Sequence, residues 1–234
     1  MTYSGKFNLK NKVAIVFRDD DKYGEAITSA FTDAGALIYN KVDTSNPRET
    51  VLNAVSVHGH LDILVTTPTF VKAEAAERTS TEQFKKNIEL NLGDIFFWCQ
   101  AAAEQMSNQE PVGGTIINVS SVGGVVGLAG QAAFCSAMAG INSMTKTLAT
   151  EWKKYGIRVL SLGAGLGKDL FEIETLEISL PDGRIGHRRL PENTLNETYE
   201  LGQIVTFLAS DVAKIINGTT VYADSGWLAD GYWE

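Results

Sequence analysis

Short apolar runs alternate along the chain with longer stretches in which apolar residues recur every three or four positions. The β-branched run from Asn11 to Phe17 predicts a strand, and Tyr23 to Asp33 then carries its apolar residues at helical spacing and stops before Gly35, a suitable C-terminal cap. The same alternation repeats. Ala36 to Val42 reads as a strand, Pro47 as the first residue of a helix continuing through Arg48 to Val57, and Leu61 to Thr66 as a buried strand. A long helix is expected over Thr81 to Met106, a strand over Thr115 to Ser120, a second long helix over Gly130 to Tyr155 and a strand over Ile157 to Leu162. Asn196 to Ser210 reads as a helix and Thr219 to Tyr222 as a last strand, which leaves Gly163 to Asn193 as a long, less regular excursion. Alternation of this kind implies an α/β fold, a doubly wound parallel sheet with helices on both faces.

Composition narrows the class. With 234 residues, 44% hydrophobic and 21% charged, the chain can bury one sizeable core, and a single domain over residues 1–234 is expected. The apolar runs are too short to span about 20 residues of bilayer, so no membrane partner is expected. A net charge of −8 disfavours nucleic acid, whose phosphates are bound by clustered Lys and Arg. Met1 to Lys12 lacks the apolar core of a signal peptide, and Cys99 and Cys135 lie in apolar helical contexts, which together point to a reduced, cytoplasmic protein.

Several stretches then fall in a recognisable order: LDILV at 61–65, Phe84 to Asn91 followed by Gln100-Ala101 and Met106, INVSSVGG at 117–124, GIRV at 156–159, FLASD at 207–211 and DSG at 224–226. In these the chain resembles the short-chain dehydrogenase/reductase family from about Leu9 to Gly226. The resemblance implies a Rossmann-like fold, a nicotinamide cofactor and oxidation or reduction of a carbonyl/alcohol pair.

The departures from the family pattern carry the functional reading. Where the family has Thr-Gly-x-x-x-Gly-x-Gly, this chain reads Phe17-Arg18-Asp19-Asp20-Asp21-Lys22-Tyr23-Gly24, and only Gly24 survives. A Cβ keeps backbone from approaching a pyrophosphate and disfavours positive φ, and three carboxylates at a helix N-terminus oppose an anion there. The acidic run is expected to be a solvated turn; neither a cofactor nor a metal is expected to bind this chain. The span between Val42 and Leu61 has room for one crossover helix, so one strand-helix unit is expected to be missing or shortened after the second strand. Lys41-Val42 stands where the family carries a charged ribose discriminator, and Thr66-Thr67-Pro68-Thr69 replaces its Asn-Asn-Ala-Gly loop.

The family's catalytic Ser falls on Ser121, but its Tyr and Lys positions fall on Phe134 and Met138. A phenyl ring exchanges no proton and a thioether lowers no neighbour's pKa. Catalytic residues are therefore expected to be absent, with Asn91 and Ser121 as structural remnants of the proton relay. Tyr39, Tyr155, Tyr199 and Tyr222 lack the spacing, His58 and His60 precede a strand, and His187 in the irregular excursion is read as a surface residue beside a basic patch of Arg184, Arg188 and Arg189.

The small-residue helix around Ala132 to Ser143, the apolar helix with Phe96, Phe97 and Trp98, and the aromatic tail Trp227, Leu228, Tyr232 and Trp233 are the elements that pair subunits in the resembled family. The expectation is a non-catalytic subunit joined to an active paralogue in a heterotetramer, with NAD(P) held by the partner and a hydroxyl as its substrate. The rival expectation is a stand-alone module that binds a metabolite in the emptied crevice.

Overall fold

The computed structural model describes residues 7–18, 20–70, 73–165, 176–179, 185–188 and 198–230, with no side chains described for 176–179, 185–188 or Asp230. Strand β1 (Val13–Phe17) is buried throughout and leads into α1 (Lys22–Asp33), which ends at Ala34 with Gly35 left-handed behind it. β2 (Leu37–Ile38) is shorter than the expected Ala36 to Val42, because it is the rim of the sheet and pairs on one side only. α2 (Pro47–His58) opens with Pro47 behind an Asn46 cap and closes at left-handed Gly59.

β3 (Ile63–Thr66) follows, then α3 (Thr81–Ile88), whose Ser80 and Gln83 form a capping box. The expected long helix is interrupted by one π turn, Glu89–Gly93, before α4 (Asp94–Ser107). β4 (Gly114–Ser121), α5 (Ala132–Trp152) and β5 (Ile157–Ala164) come next. The excursion contains an antiparallel hairpin, β6 (Leu176–Ser179) with β7 (Ile185–Arg188). α6 (Thr198–Ala209), β8 (Thr220–Ala223) and α7 (Trp227–Asp230) complete the described chain.

Six strands pair in the order β2-β1-β3-β4-β5-β8, all parallel. The chain goes outward from β1 to β2, and α2 alone returns it across β1 to β3, as the short Val42 to Leu61 span requires. Strand residues alternate between two cores. Val13, Ile15 and Leu64 face α2, α4 and α5 on one side; Ala14, Val16 and Val65 face α1 and α6 on the other. Ligands of doubly wound sheets bind where strand order reverses, which here is the gap between the carboxyl ends of β1 and β3.

Candidate functional site

Phe17 ends β1 wholly buried, its ring stacked on Trp98 of α4 with centroids 4.8 Å apart. Arg18, next in the chain, adopts the left-handed conformation (φ 63°) that a glycine would hold without strain. Its side chain folds inward and is only 12% exposed. The guanidinium lies 4.1 Å from the Phe17 ring centroid and donates to Thr67 O and Leu90 O, both at 2.8 Å, and to Asp94 Oδ2 at 3.3 Å. One cation thus ties the β1 turn to the loop after β3, the π turn and α4. Burial lowers the Arg18 pKa, against the attraction of Asp94, Asp21 and Asp20.

Asp21 is the cap of α1. It accepts the Gly24 N–H at 2.7 Å, so a carboxylate of the chain itself stands at the helix N-terminus. Thr67 Oγ1 lies 2.9 Å from Asp21 Oδ2 and 3.0 Å from Phe17 O, two acceptors for its single proton. Burial raises the Asp21 pKa; the bonds from Gly24 and Thr67 and the nearby Arg18 pull it back. The acidic run is therefore only partly the solvated turn expected: Asp20 is exposed, but Asp21 turns in to cap the helix and Arg18 is buried by its carbonyl acceptors. Lys22 is exposed in the first turn of α1, Gly24 is buried, and Asp19 lies outside the described residues.

Beyond Thr67 the loop is held by Asn91, wholly buried in the π turn. Asn91 Oδ1 accepts from Thr69 N at 2.7 Å, and its Nδ2 donates to Thr69 O at 2.9 Å and to Asn87 Oδ1 at 3.1 Å. The next residue, Phe70, completes an aromatic row across the mouth of the sheet. Its centroid lies 6.0 Å from that of Tyr23 and 5.1 Å from that of Phe134.

Phe134 is 1% exposed, and Met138, one turn on, is fully buried; both belong to the α4/α5 core. Ser121 is buried at the end of β4, where its Oγ accepts the Gly123 N–H at 3.1 Å and caps the short turn Val122–Gly124. Asn91 and Ser121 both serve as hydrogen-bonding struts of the backbone. The structure adds Phe70 and Asp94 to the residues named from sequence and gives roles to Thr67 and Tyr23, which the sequence marked only as members of the two altered loops; an Arg beside an aromatic at a glycine position was the one available signal. The side chains of His187 and Arg188, and all of Arg184 and Arg189, lie outside the described residues.

The profile described as enoyl-(acyl carrier protein) reductase matches residues 10–228. The chain is 30% identical to the NAD-dependent glycerol dehydrogenase of Listeria innocua, over 97% of its own length and 99% of that protein's. It belongs to the short-chain dehydrogenase/reductase family. Another family member, the 2-dehydro-3-deoxy-D-gluconate 5-dehydrogenase of Escherichia coli, is 27% identical over 95% of this chain and 98% of its own. Among solved structures, a short-chain type dehydrogenase/reductase from Mycobacterium marinum superposes with a TM-score of 0.80 at 23% identity, covering 94% of this chain and 97% of that one. A gluconate 5-dehydrogenase from Burkholderia cenocepacia, solved with NADP and tartrate, gives 0.79 at 20%, covering 96% and 98%. Among the described residues no His, Cys, Asp and Glu side chains cluster as a metal site, and no helix is long and apolar enough to cross a membrane.

Proposed function

We propose that this chain is a non-catalytic short-chain dehydrogenase/reductase subunit that supports an active paralogue, the partner oxidising a hydroxyl with NAD(P). The observation that carries the reading is Phe134: the position aligned with the family's proton-transferring Tyr holds a phenyl ring, buried and packed on Phe70, with Met138 where the family places Lys. No proton donor or acceptor replaces them in that row, since Tyr23 is buried and its hydroxyl is pushed far above the ordinary Tyr range, chiefly by burial.

The residues at the phosphate turn do not fit a dinucleotide. A pyrophosphate needs close backbone approach and free amides at the α1 N-terminus, whereas Arg18 carries a Cβ and a folded-in guanidinium there and Asp21 already occupies the Gly24 amide. Assembly is supported by the surface of α4 and α5. Phe97 is 56% exposed, and a shallow depression of about 390 Å³ is lined by Phe96, Leu148, Trp152 and Tyr155. Trp227 and Leu228 of α7 are partly exposed, while Tyr232 and Trp233 lie outside the described residues. The assembly resembles the 2-[hydroxy(phenyl)methyl]succinyl-CoA dehydrogenase of anaerobic toluene degradation, which pairs an inactive with an active subunit; a hydroxyacyl-CoA is the substrate class this suggests for the partner.

Native mass spectrometry of the protein from its source cells tests the proposal. The expected result is a heterotetramer containing a second chain with an intact Tyr-x-x-x-Lys. A monomer or homo-oligomer overturns the subunit reading in favour of a stand-alone module. Nicotinamide-dependent turnover by the purified chain overturns the non-catalytic reading. Phe134→Tyr combined with Met138→Lys is expected to restore no turnover, because the phosphate turn stays closed.

A further inference from the structure

The connection from α6 to β8 runs along the amino end of the sheet and contains the sequence's one Asn-Gly pair, Asn217-Gly218. An asparagine before glycine is prone to deamidation, because no Cβ obstructs ring closure between the glycine amide and the asparagine side chain. In that reaction the Gly218 nitrogen gives up its proton to solvent base and bonds to Asn217 Cγ; the Cγ–Nδ2 bond breaks and Nδ2 leaves as ammonia. Water then opens the cyclic imide at either carbonyl. Opening at Cγ gives aspartate, and opening at the main-chain carbonyl gives isoaspartate, which carries one more methylene in the backbone.

The fold ties both reacting groups to one residue of β5. Asn217 Oδ1 accepts the Val159 N–H at 2.9 Å, and the Gly218 N–H donates to Val159 O at 2.8 Å. Thr219 O accepts from Ser161 N at 3.0 Å, so the Asn217 side chain extends the β5–β8 ladder before β8 begins. The preceding loop is fixed as well, since the Arg158 guanidinium donates to Ala213 O at 3.0 Å and to Ile216 O at 3.1 Å. Gly218 itself is left-handed (φ 67°) and packs against α5, where a Cβ on it would lie 3.2 Å from that of Ala149. Shielding from water does not protect the pair. Asn217 is exposed, and its Nδ2, the leaving group, has no hydrogen bond among the described residues. What ring closure must break is the pair of bonds to Val159, because the imide nitrogen no longer carries a proton.

We propose that Asn217 is a modification site that works as a one-way latch: seated β8 keeps it intact, opening of residues 217–219 releases it to deamidate, and isoaspartate then prevents β8 from reseating. The two products differ in this respect. Aspartate keeps an acceptor for the Val159 N–H, whereas isoaspartate lengthens the main chain and shortens the side chain, so that its acceptor and the Gly218 N–H cannot both meet Val159. The loosened strand leads directly into Asp224, whose carboxylate accepts the N–H groups of Gly226 and Leu228 at the start of α7. The latch belongs to the chain itself and holds with or without a partner subunit.

The test incubates the full-length chain in mildly alkaline buffer, native and unfolded in guanidinium chloride, and follows every asparagine by peptide mapping that separates aspartate from isoaspartate. The unfolded chain is expected to deamidate first at Asn217, and the native chain at least about tenfold more slowly there, in keeping with the free energy of opening an edge strand. As guanidinium is raised below the unfolding transition, the native rate should climb in step with hydrogen exchange of the Gly218 amide. After refolding, Asn217→Asp should protect that amide as the parent does, and the purified isoaspartate form should not. Equal rates in the native and unfolded chains, or another asparagine reacting first in the unfolded chain, overturns the proposal. So does native modification while the Gly218 amide stays protected, or an isoaspartate form as protected as Asn217→Asp.

Discussion

Arg18 combines a strained backbone with a side chain that binds three elements, and two substitutions separate the contributions. Arg18→Ala removes the bonds to Thr67 O, Leu90 O and Asp94 while keeping a Cβ at φ 63°. Hydrogen bonds from a charged donor contribute about 1.5–3 kcal/mol each. Water replaces part of that at this partly exposed turn, leaving a net loss of about 2–4 kcal/mol. Arg18→Gly loses the same bonds but relieves a left-handed conformation that costs an L-residue roughly 1–2 kcal/mol. Glycine, although it deletes more atoms, is therefore expected to be less destabilising than alanine by about 1 kcal/mol. Urea unfolding followed by circular dichroism measures both; in thermal melts of a domain of this size, each kcal/mol corresponds to about 2–4 °C. An alanine variant as stable as the glycine variant refutes the strain argument. Two variants within about 0.5 kcal/mol of the parent refute the clamp.

Asp21→Asn keeps an N-cap acceptor and supplies an amide donor to Thr67 Oγ1 in place of a second acceptor, so it should leave stability at pH 7 unchanged or raised, whereas Asp21→Ala should cost about 1 kcal/mol through loss of the cap. The Asp21 pKa is raised in the folded state, so this group binds its proton more readily folded than unfolded. Its contribution to stability grows as pH falls through the folded pKa and levels off below the unfolded one; Asp21→Asn should remove that component from a stability-pH profile taken in the acidic range. Asn91→Ala, which removes the side chain that pairs with the N–H and C=O of part-buried Thr69 and with Asn87, should cost about 1–3 kcal/mol in a denaturant titration. Burial pushes the Cys99 thiol up to about 12, so a thiol reagent at neutral pH should label the partly exposed Cys135 in the native protein and reach Cys99 only after unfolding; equal labelling rates would contradict the buried placement.

The sheet was legible because its signal is local. The β-branched runs ending at Phe17, Thr66 and Ser120 needed only periodicity, and Gly35 and Pro47 mark helix boundaries through backbone conformations that few residues adopt. The short Val42 to Leu61 span likewise constrained the topology by length alone. Phe134 and Met138 could be located by counting from Ser121, but spacing along a helix says nothing about what packs against it. Phe70, distant in sequence, therefore entered the site only with tertiary structure. The Arg18 clamp is hidden from the sequence for the same reason. A cation beside three carboxylates looks solvated until the carbonyls of Thr67 and Leu90, contributed from beyond β3 and from the π turn, are brought within reach. The π turn itself leaves the apolar periodicity of Thr81 to Met106 almost undisturbed, so the long helix seemed continuous.

The brevity of β2 affects how the protein behaves in a crowded solution. A parallel sheet that ends on a long strand offers a row of unpaired amides and carbonyls on which another chain can template itself. Here Leu37 N and Tyr39 N donate inward, to Lys12 O and Ala14 O. That leaves the alternate amides, Ile38 and Asn40, to face outward before the backbone turns away toward Asp43 and the start of α2. So short a rim gives an incoming strand too few bonds to register against. The same shortening thus protects this edge of the sheet from edge-to-edge aggregation, even with Leu37 44% exposed beside it.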